Sequence, residues 1–291
     1  MNESLNSEFL PTGDTLDSIE FSWFKGKKRK KAIFAMVQNE PVFLPIWLKY
    51  YSQSFDAEDI FVLDHRTTDG SVEKCAEQYS FNNIKLDYPY SFDHVWFQFV
   101  AKTMQRKLLN YYEFVLFTDI DEIILPDLKK YSGLDEYINQ LDEDHVRCTG
   151  YEITHMKDKE PTFDSTRTVL SQRNHWHYNR SFNKTALARV PLNWGIGFHK
   201  KTLVEQFNNK ELYLIHLHKV DYEMCWNRTV ERAKLRWKKE EVDKKRGWQN
   251  RITDSTEFDS FFYVSPRIFW ILPRWLMIKE IPEELKAADI F

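Results

Sequence analysis

The sequence predicts an α/β protein built on a mostly parallel sheet flanked by helices, followed by a less regular half. Three observations predict it: short apolar runs that read as strands buried on both faces, helix-period segments between them, and an apolar run broken abruptly by acids in FVLFTDIDEIILP (114–126). Strands alternating with helical stretches of this length form βαβ units, whose parallel strands are covered on both faces. With 291 residues, 42% of them hydrophobic, and a net charge of −3, the chain can build one large domain around its own core.

The first 30 residues are polar and end in a basic run, KGKKRKK (25–31), which reads as a solvated lead-in to a strand in preference to a nucleic-acid patch. No nucleic-acid partner is expected. AIFAMV (32–37) is the first buried strand, with Gln38, Asn39 and Glu40 at its exit and a helix starting near Pro41 or Pro45, since proline tolerates a first helical turn. DIFVLD (59–64) is the second, followed by the polar turn HRTTDGS and a helix over 72–79. A short strand at 84–86 precedes a helix over 98–109, where Val100, Met104 and Leu108 recur at helical spacing. The fourth strand, 114–117, carries the acids. From 151 to 200 the pattern is mixed, with HWHYNRSFNK and NWGIGFH suggesting short strands and long loops. ELYLIHLH (211–218) is again a strand. After it, Trp226, Val230, Ala233 and Trp237 mark one helix face, while Arg228, Arg232, Lys234, Arg236 and Lys238 populate the others and read as solvated.

Cys75, Cys148 and Cys225 form no CxxC pair and leave one unpaired, which argues against a disulfide framework or a cysteine-rich zinc site and for a reducing compartment. The N-terminal segment lacks a signal-peptide pattern, and no run approaches the roughly 18 apolar residues of a membrane span. The expected location is cytoplasmic. PRIFWILPRWLMIK (266–279) mixes aromatic and basic residues, as an interfacial membrane contact would, although packing on the domain is the favoured reading because such dense Trp and Ile invite aggregation if exposed.

Asp119 and Asp121 follow the fourth strand, and in open parallel sheets the ligand crevice lies beyond the carboxyl ends of the strands. If the strand continues, both carboxylates point to one side, where like charges about 4 Å apart repel by roughly 4 kcal/mol at an effective dielectric near 20. A divalent cation relieves that, and so few hard oxygen ligands suit Mg²⁺ or Mn²⁺ carrying substrate phosphates. The structural alternative makes Asp119 or Asp121 the cap of a following helix, with Glu122 in its first turn.

AMVQNEPVFLPIWLKYY, FVLDHRTTDGS, FTDIDEIILP, FNKTALARVPLNWGIGFH and LIHLHKVDYE follow one another over residues 32 to about 240. In that order they resemble the GT-A-fold glycosyltransferases, specifically the family-2-like group with a DxDE motif. The resemblance implies a polar lead-in (1–30), a GT-A domain (31–250) and a C-terminal tail packed on it (251–291). It also implies that Gln38, Asn39 and Glu40 border the nucleoside of a UDP-sugar donor and that Asp64 contacts base or ribose. Arg66, where the family has a small or amide residue, would add a phosphate contact. Asp69 is better explained as a turn and helix-cap residue. Asp119 and Asp121 would bracket ribose and metal, Mn²⁺ or Mg²⁺, with His218 completing the metal shell in preference to His216 and Lys219 meeting a phosphate. Trp194 and His199 would form the acceptor wall, with ordinary packing the competing role for Trp194.

The implied reaction is sugar transfer to a hydroxyl of a carbohydrate or lipid-linked acceptor, for which an inverting enzyme needs a carboxylate base. Glu152, Asp158, Glu160 and Asp164 are the candidates, and the sequence does not choose among them. Glu160 and Asp164 are carried forward with Asp121 as the catalytic set. Two alternatives remain: a metal-dependent nucleotidyltransferase, for which no glycine-rich phosphate loop is present, and a noncatalytic nucleotide-sugar or glycan-binding module, which would not need both Asp119 and Asp121.

Overall fold

The computed structural model describes residues 16, 19, 21, 24–87, 89, 91–198, 209–263, 277–288 and 290–291. Strand β1 (Arg29–Val37) begins earlier than its apolar run. The basic residues before the run are paired rather than merely solvated: Arg29 with Asp59 (2.9 Å), Lys30 with Glu113 (3.1 Å) and Lys31 with Asp135. Helix α1 (Phe43–Tyr51) carries Pro45 in its first turn, where no amide partner is lost. Then come β2 (Ile60–Asp64), α2 (Ser71–Ala76), β3 (Asn82–Lys85) and α3 (His94–Leu108). Helix α3 starts ahead of its apolar period because Asp93 caps it, accepting from the amides of Val95 (2.9 Å) and Trp96 (3.2 Å).

After β4 (Tyr112–Phe117) the chain turns through 118–121 and continues as β5 (Glu122–Pro126). No helix follows the acids, so the helix-cap alternative is excluded, and the strand expected to carry both carboxylates on one side is interrupted by a turn. The second half holds α4 (Leu134–Asn139), β6 (His145–Arg147), β7 (Thr149–Ile153), β8 (His175–Tyr178), β9 (Thr185–Ala188) and β10 (Leu212–His216). It ends with α5 (Tyr222–Ala233), α6 (Lys239–Asp243), α7 (Ser255–Tyr263), β11 (Ile278–Glu280) and α8 (Glu283–Ala288).

The first sheet has the order β3-β2-β1-β4-β9-β6, with β3, β2, β1 and β4 parallel and β9 antiparallel to β4. The mostly parallel α/β layer expected from the sequence is thus present. A second sheet, β11-β8-β7-β10-β5, was not legible beforehand. Alternation along the strands sorts side chains into two cores. Ile33, Ala35, Val62 and Leu116 pack with Phe43, Trp47 and Tyr51 of α1 and with Ile123, Leu214 and Ile215 of the second sheet. Phe34, Phe61, Leu63 and Phe117 face the other way, onto Trp96, Val100, Met104 and Leu108 of α3.

Among the described residues no helix is long and apolar enough to cross a membrane. The aromatic-basic segment 266–279 lies outside the described residues up to position 276. Beyond it, β11 pairs antiparallel with β8, and Ile281, Leu285 and Phe291 are buried in the larger core.

Candidate active site

Strand order reverses at β1: the chain moves from β1 to β2 on one side, and β4 is added on the other. The crevice beyond such a reversal, at the carboxyl ends of the strands, is where open α/β sheets bind ligands. Here β1 delivers Gln38 to Glu40 and β4 delivers Asp119 to Glu122, side by side because the two strands pair directly. Helix α1 fixes the acidic turn from behind. Trp47 donates through Nε1 to Thr118 Oγ1 (2.8 Å), and the Tyr51 hydroxyl donates to Glu122 O (3.2 Å) while accepting from Ile124 N (2.9 Å).

The second sheet brings the histidines to the same turn. Strand β10 pairs with β5 so that His216 lies opposite Glu122, and Leu217 N donates to Asp121 O (2.8 Å). On its other side β10 pairs with β7, placing His216 beside Glu152, and β7 pairs with β8, placing Glu152 beside His177. Acid and imidazole therefore alternate along one cross-strand row, Glu122, His216, Glu152, His177. Helix α5 supplies two cations, Arg228 and Arg232. Its N-terminus is held by Asp221, which accepts from Met224 N (3.0 Å) and meets the fully buried Arg173 (3.3 Å).

These elements enclose a cavity of about 460 Å³ lined by Gln38, Glu40, Asp119, Asp121, Glu122 and Glu152 on its acidic side. His216, His218, Lys219, Arg228 and Arg232 line it too, with Phe92, Phe97, Phe182, Trp248 and Phe261 at its walls. The carboxylates of the acidic turn are paired with two cations. Asp119, 42% exposed, takes Lys184 Nζ at 2.8 Å, and the same ammonium reaches Glu122 at 2.7 Å although Lys184 has no exposed surface. Asp121 Oδ2 takes Arg228 Nη1 at 2.6 Å, and Arg228 Nη2 and Arg232 Nη2 both reach Glu40 Oε1, at 2.6 and 2.8 Å.

The titrations follow this pairing. Burial favours a neutral Asp121, but Arg228, His216 and His218 overcome it and hold the carboxyl well below its usual range. Burial likewise opposes ionisation of Glu152, yet Lys219 and His216 keep it far down. Glu122 goes up, because burial outweighs Lys184. His216 is raised despite burial, by Asp121 and Glu152, whereas burial carries His218 down to about 4.

No protein-family model matches the chain, and no curated protein matches it. Solved structures do. Glucosyl-3-phosphoglycerate synthase from Mycobacterium tuberculosis, in complex with Mn²⁺, UDP-glucose and phosphoglyceric acid, is 18% identical over 33% of this chain and 34% of its own, with a TM-score of 0.25. TarS of S. aureus is 16% identical over 85% of this chain and 47% of its own, with a TM-score of 0.37. The bifunctional glycosyltransferase WbbM is 11% identical over 45% of this chain and 24% of its own, with a TM-score of 0.28. The chain therefore spans about a third of the synthase's length and under half of that of TarS.

Of the residues expected from the sequence, Gln38, Glu40, Asp119, Asp121, His218 and Lys219 meet at this cavity. Lys219 donates to Phe261 O (2.9 Å) and lies 3.6 Å from Glu152. Asn39, in left-handed backbone at φ 54°, ties the exit of β1 to the turn after β2, and Asp64 closes that turn locally. Asn39 Oδ1 accepts from Thr68 N (2.8 Å) and Asp64 Oδ1 from Thr67 N (2.9 Å). Arg66 is exposed, also at positive φ, and does not line the cavity. Asp69 accepts from Ser71 N (2.9 Å) in the turn just ahead of α2, whose N-cap is Gly70.

Four expectations are corrected. Trp194 is 2% exposed and packs on Phe117 and Phe198 with its indole donating to Thr185 O (2.8 Å), so it offers no face to an acceptor. Glu160 is consumed by the amides of Met156 (2.9 Å) and Asn174 (2.7 Å), and Asp164 caps Thr166 on the surface; neither lines the cavity. Among the four candidate bases only Glu152 does. The basic face of α5 is not simply solvated, because Arg228 and Arg232 turn into the site. His199 lies outside the described residues.

The fourth correction concerns the metal shell. Among the described residues no group of three His, Cys, Asp or Glu side chains is disposed to hold a metal ion. Arg228 Nη1 lies 2.7 Å from His218 Nδ1, and a guanidinium can only donate, so the neutral ring carries its proton on Nε2. His218 in this arrangement is a hydrogen-bond donor, not a ligand, and its Nε2 has no partner among the described residues. The two aspartates still suit a hard cation that draws its other ligands from a substrate. Each has one oxygen, Oδ1, that accepts no hydrogen bond among the described residues.

Proposed function

We propose that the protein is a GT-A-type glycosyltransferase, which moves a sugar from a nucleoside diphosphate sugar, UDP-sugar foremost, to a hydroxyl of a glycan or other acceptor, with Mn²⁺ or Mg²⁺. The observation that carries this reading is the meeting of Asp119 and Asp121 with the basic face of α5 in one crevice at the strand reversal. In the cavity Glu40, Asp119, Asp121, Glu122 and Glu152 already face Arg228, Arg232, Lys184 and Lys219. A diphosphate entering beside these carboxylates would add unmatched negative charge unless a cation came with it. Bound between the aspartates and the phosphates, a divalent ion would neutralise charge on the leaving diphosphate.

The chain's own groups do the rest. Arg228, Arg232 and Lys219 surround the place where phosphate oxygens would lie, and the Nε2–H of His218 is a spare donor for one of them. Trp248, 40% exposed at the same cavity, takes the acceptor-wall role that Trp194 cannot fill. Glu152 holds the His216 ring by its Nδ1 (3.2 Å) while Phe182 stacks on the ring at 4.0 Å. Three buried free cysteines support the cytoplasmic location that belongs to this proposal. In the competing nucleotidyltransferase reading the same acids would serve a different bond, and the two are told apart by product.

Calorimetry tests the binding half. UDP should bind with Mn²⁺ present and at least tenfold more weakly in chelator, and Asp121→Asn should remove most of the Mn²⁺ effect while leaving the circular dichroism unchanged. Equal UDP affinity with and without the ion would overturn metal-assisted donor binding.

A further inference from the structure

Arg228 is the residue most at odds with a conventional acidic metal site. Its guanidinium occupies the space between the two groups expected to share an ion, 2.6 Å from Asp121 Oδ2 and 2.7 Å from His218 Nδ1. On its other edge it is anchored: Nε lies 3.1 Å and Nη2 2.6 Å from Glu40 Oε1, and the group lies over the Phe43 ring at 4.7 Å. Glu40 also holds Arg232, so it would keep a cationic partner if Arg228 turned away. Lys184 differs, being fully buried between two carboxylates and boxed by the Phe117 and Phe198 rings at 5.4 Å each.

We propose that Arg228 is an exchangeable counter-cation: without donor it neutralises Asp121, and when a divalent ion takes up Asp121 the same guanidinium passes to the diphosphate. This rests on the nucleotide-sugar reading above. A guanidinium matches phosphate as well as carboxylate, so the exchange trades one charge-assisted hydrogen bond, from Nη1 to Asp121 Oδ2, for another to a phosphate oxygen. It also couples the two ligands. The ion alone must compete with Arg228 for Asp121, whereas a diphosphate arriving with it gives Arg228 a new partner, so each ligand strengthens the other. The device keeps Asp121 paired in the empty protein and makes the loaded site cooperative, without any third protein ligand for the ion.

The test uses the full chain and two probes, Mn²⁺ followed by electron paramagnetic resonance of the free ion and UDP followed by calorimetry at saturating Mn²⁺. In Arg228→Gln, Mn²⁺ alone should bind about tenfold more tightly and UDP about tenfold more weakly, opposite signs from one substitution. Arg228→Lys keeps a charge but not a fork that spans Glu40 and Asp121, and should shift both in the same directions by less. It carries the test if the glutamine variant does not fold. Parallel weakening of both ligands would make Arg228 a scaffold residue and overturn the exchange, as would no change in either. Wild-type protein that binds Mn²⁺ but never UDP would overturn the nucleotide-sugar reading itself, and the exchange with it.

Discussion

Lys184 is surrounded by apolar rings yet faces two carboxylates, so burial works against its charge while Asp119 and Glu122 hold it on; the ammonium titrates above its usual range. Removing one partner of such a buried cluster is costly because the other charges remain. Lys184→Met should therefore lower stability by about 3–5 kcal/mol at neutral pH, read from urea unfolding. The sign of the pH dependence follows from Glu122, whose carboxyl burial already raises. A group raised in the folded state favours folding below its unfolded value and loses that benefit as pH rises through its folded value. Without Lys184 to offset burial, Glu122 rises further, so the variant's deficit should shrink between pH 7.5 and pH 5; a deficit that grows on acidification would contradict the pairing. At this scale the sequence was informative where one residue has one job. Asp121 was recognisable as an acid at a strand exit. Lys184, a lone lysine 62 positions from Glu122, carried no local signal, and its role exists only because β9 pairs with β4.

The elements that shape the site do so by register. Gly150 on β7 lies against the 179–182 turn so closely that a Cβ there would sit 2.5 Å from the Phe182 carbonyl carbon. Phe182 in turn stacks on His216 at 4.0 Å. Gly150→Ala must push that turn outward, and a destabilisation of about 1–3 kcal/mol should accompany loss of the stacking, seen as a shift of the His216 ring protons in NMR. If stability and the ring shifts are unchanged, the close approach is not what seats His216. The helices and parallel strands were readable because apolar period and apolar run report directly on burial. Their starts were less so: Asp93 and Asp221 move the α3 and α5 boundaries forward by capping, a short-range signal that periodicity ignores. The mixed second sheet was illegible because β5, β7, β8, β10 and β11 are short and drawn from across the chain, and their pairing is set by tertiary contact.

Taken as one molecule, the chain places a parallel α/β layer beside a mixed sheet, and the cavity lies where β1 and β4 of the first meet β5, β7 and β10 of the second. The first layer supplies Glu40, Asp119 and Asp121; the second supplies Glu152, His216 and, just past β10, His218; α5 closes the cavity with Arg228 and Arg232. The acidic turn and HLH were visible in the sequence as separate motifs, but α5's arginines read as surface because amphipathic patterning cannot tell a solvated face from one turned into a polar cavity. The most direct measurement of the central claim is product analysis. The full chain is incubated with a panel of UDP-sugars and Mn²⁺, and the released species are separated by anion-exchange chromatography. The account predicts free UDP from at least one donor, abolished by chelator and by Asp121→Asn. Release of sugar 1-phosphate in place of UDP, as uridylyl transfer would give, or turnover undiminished in chelator, would contradict it.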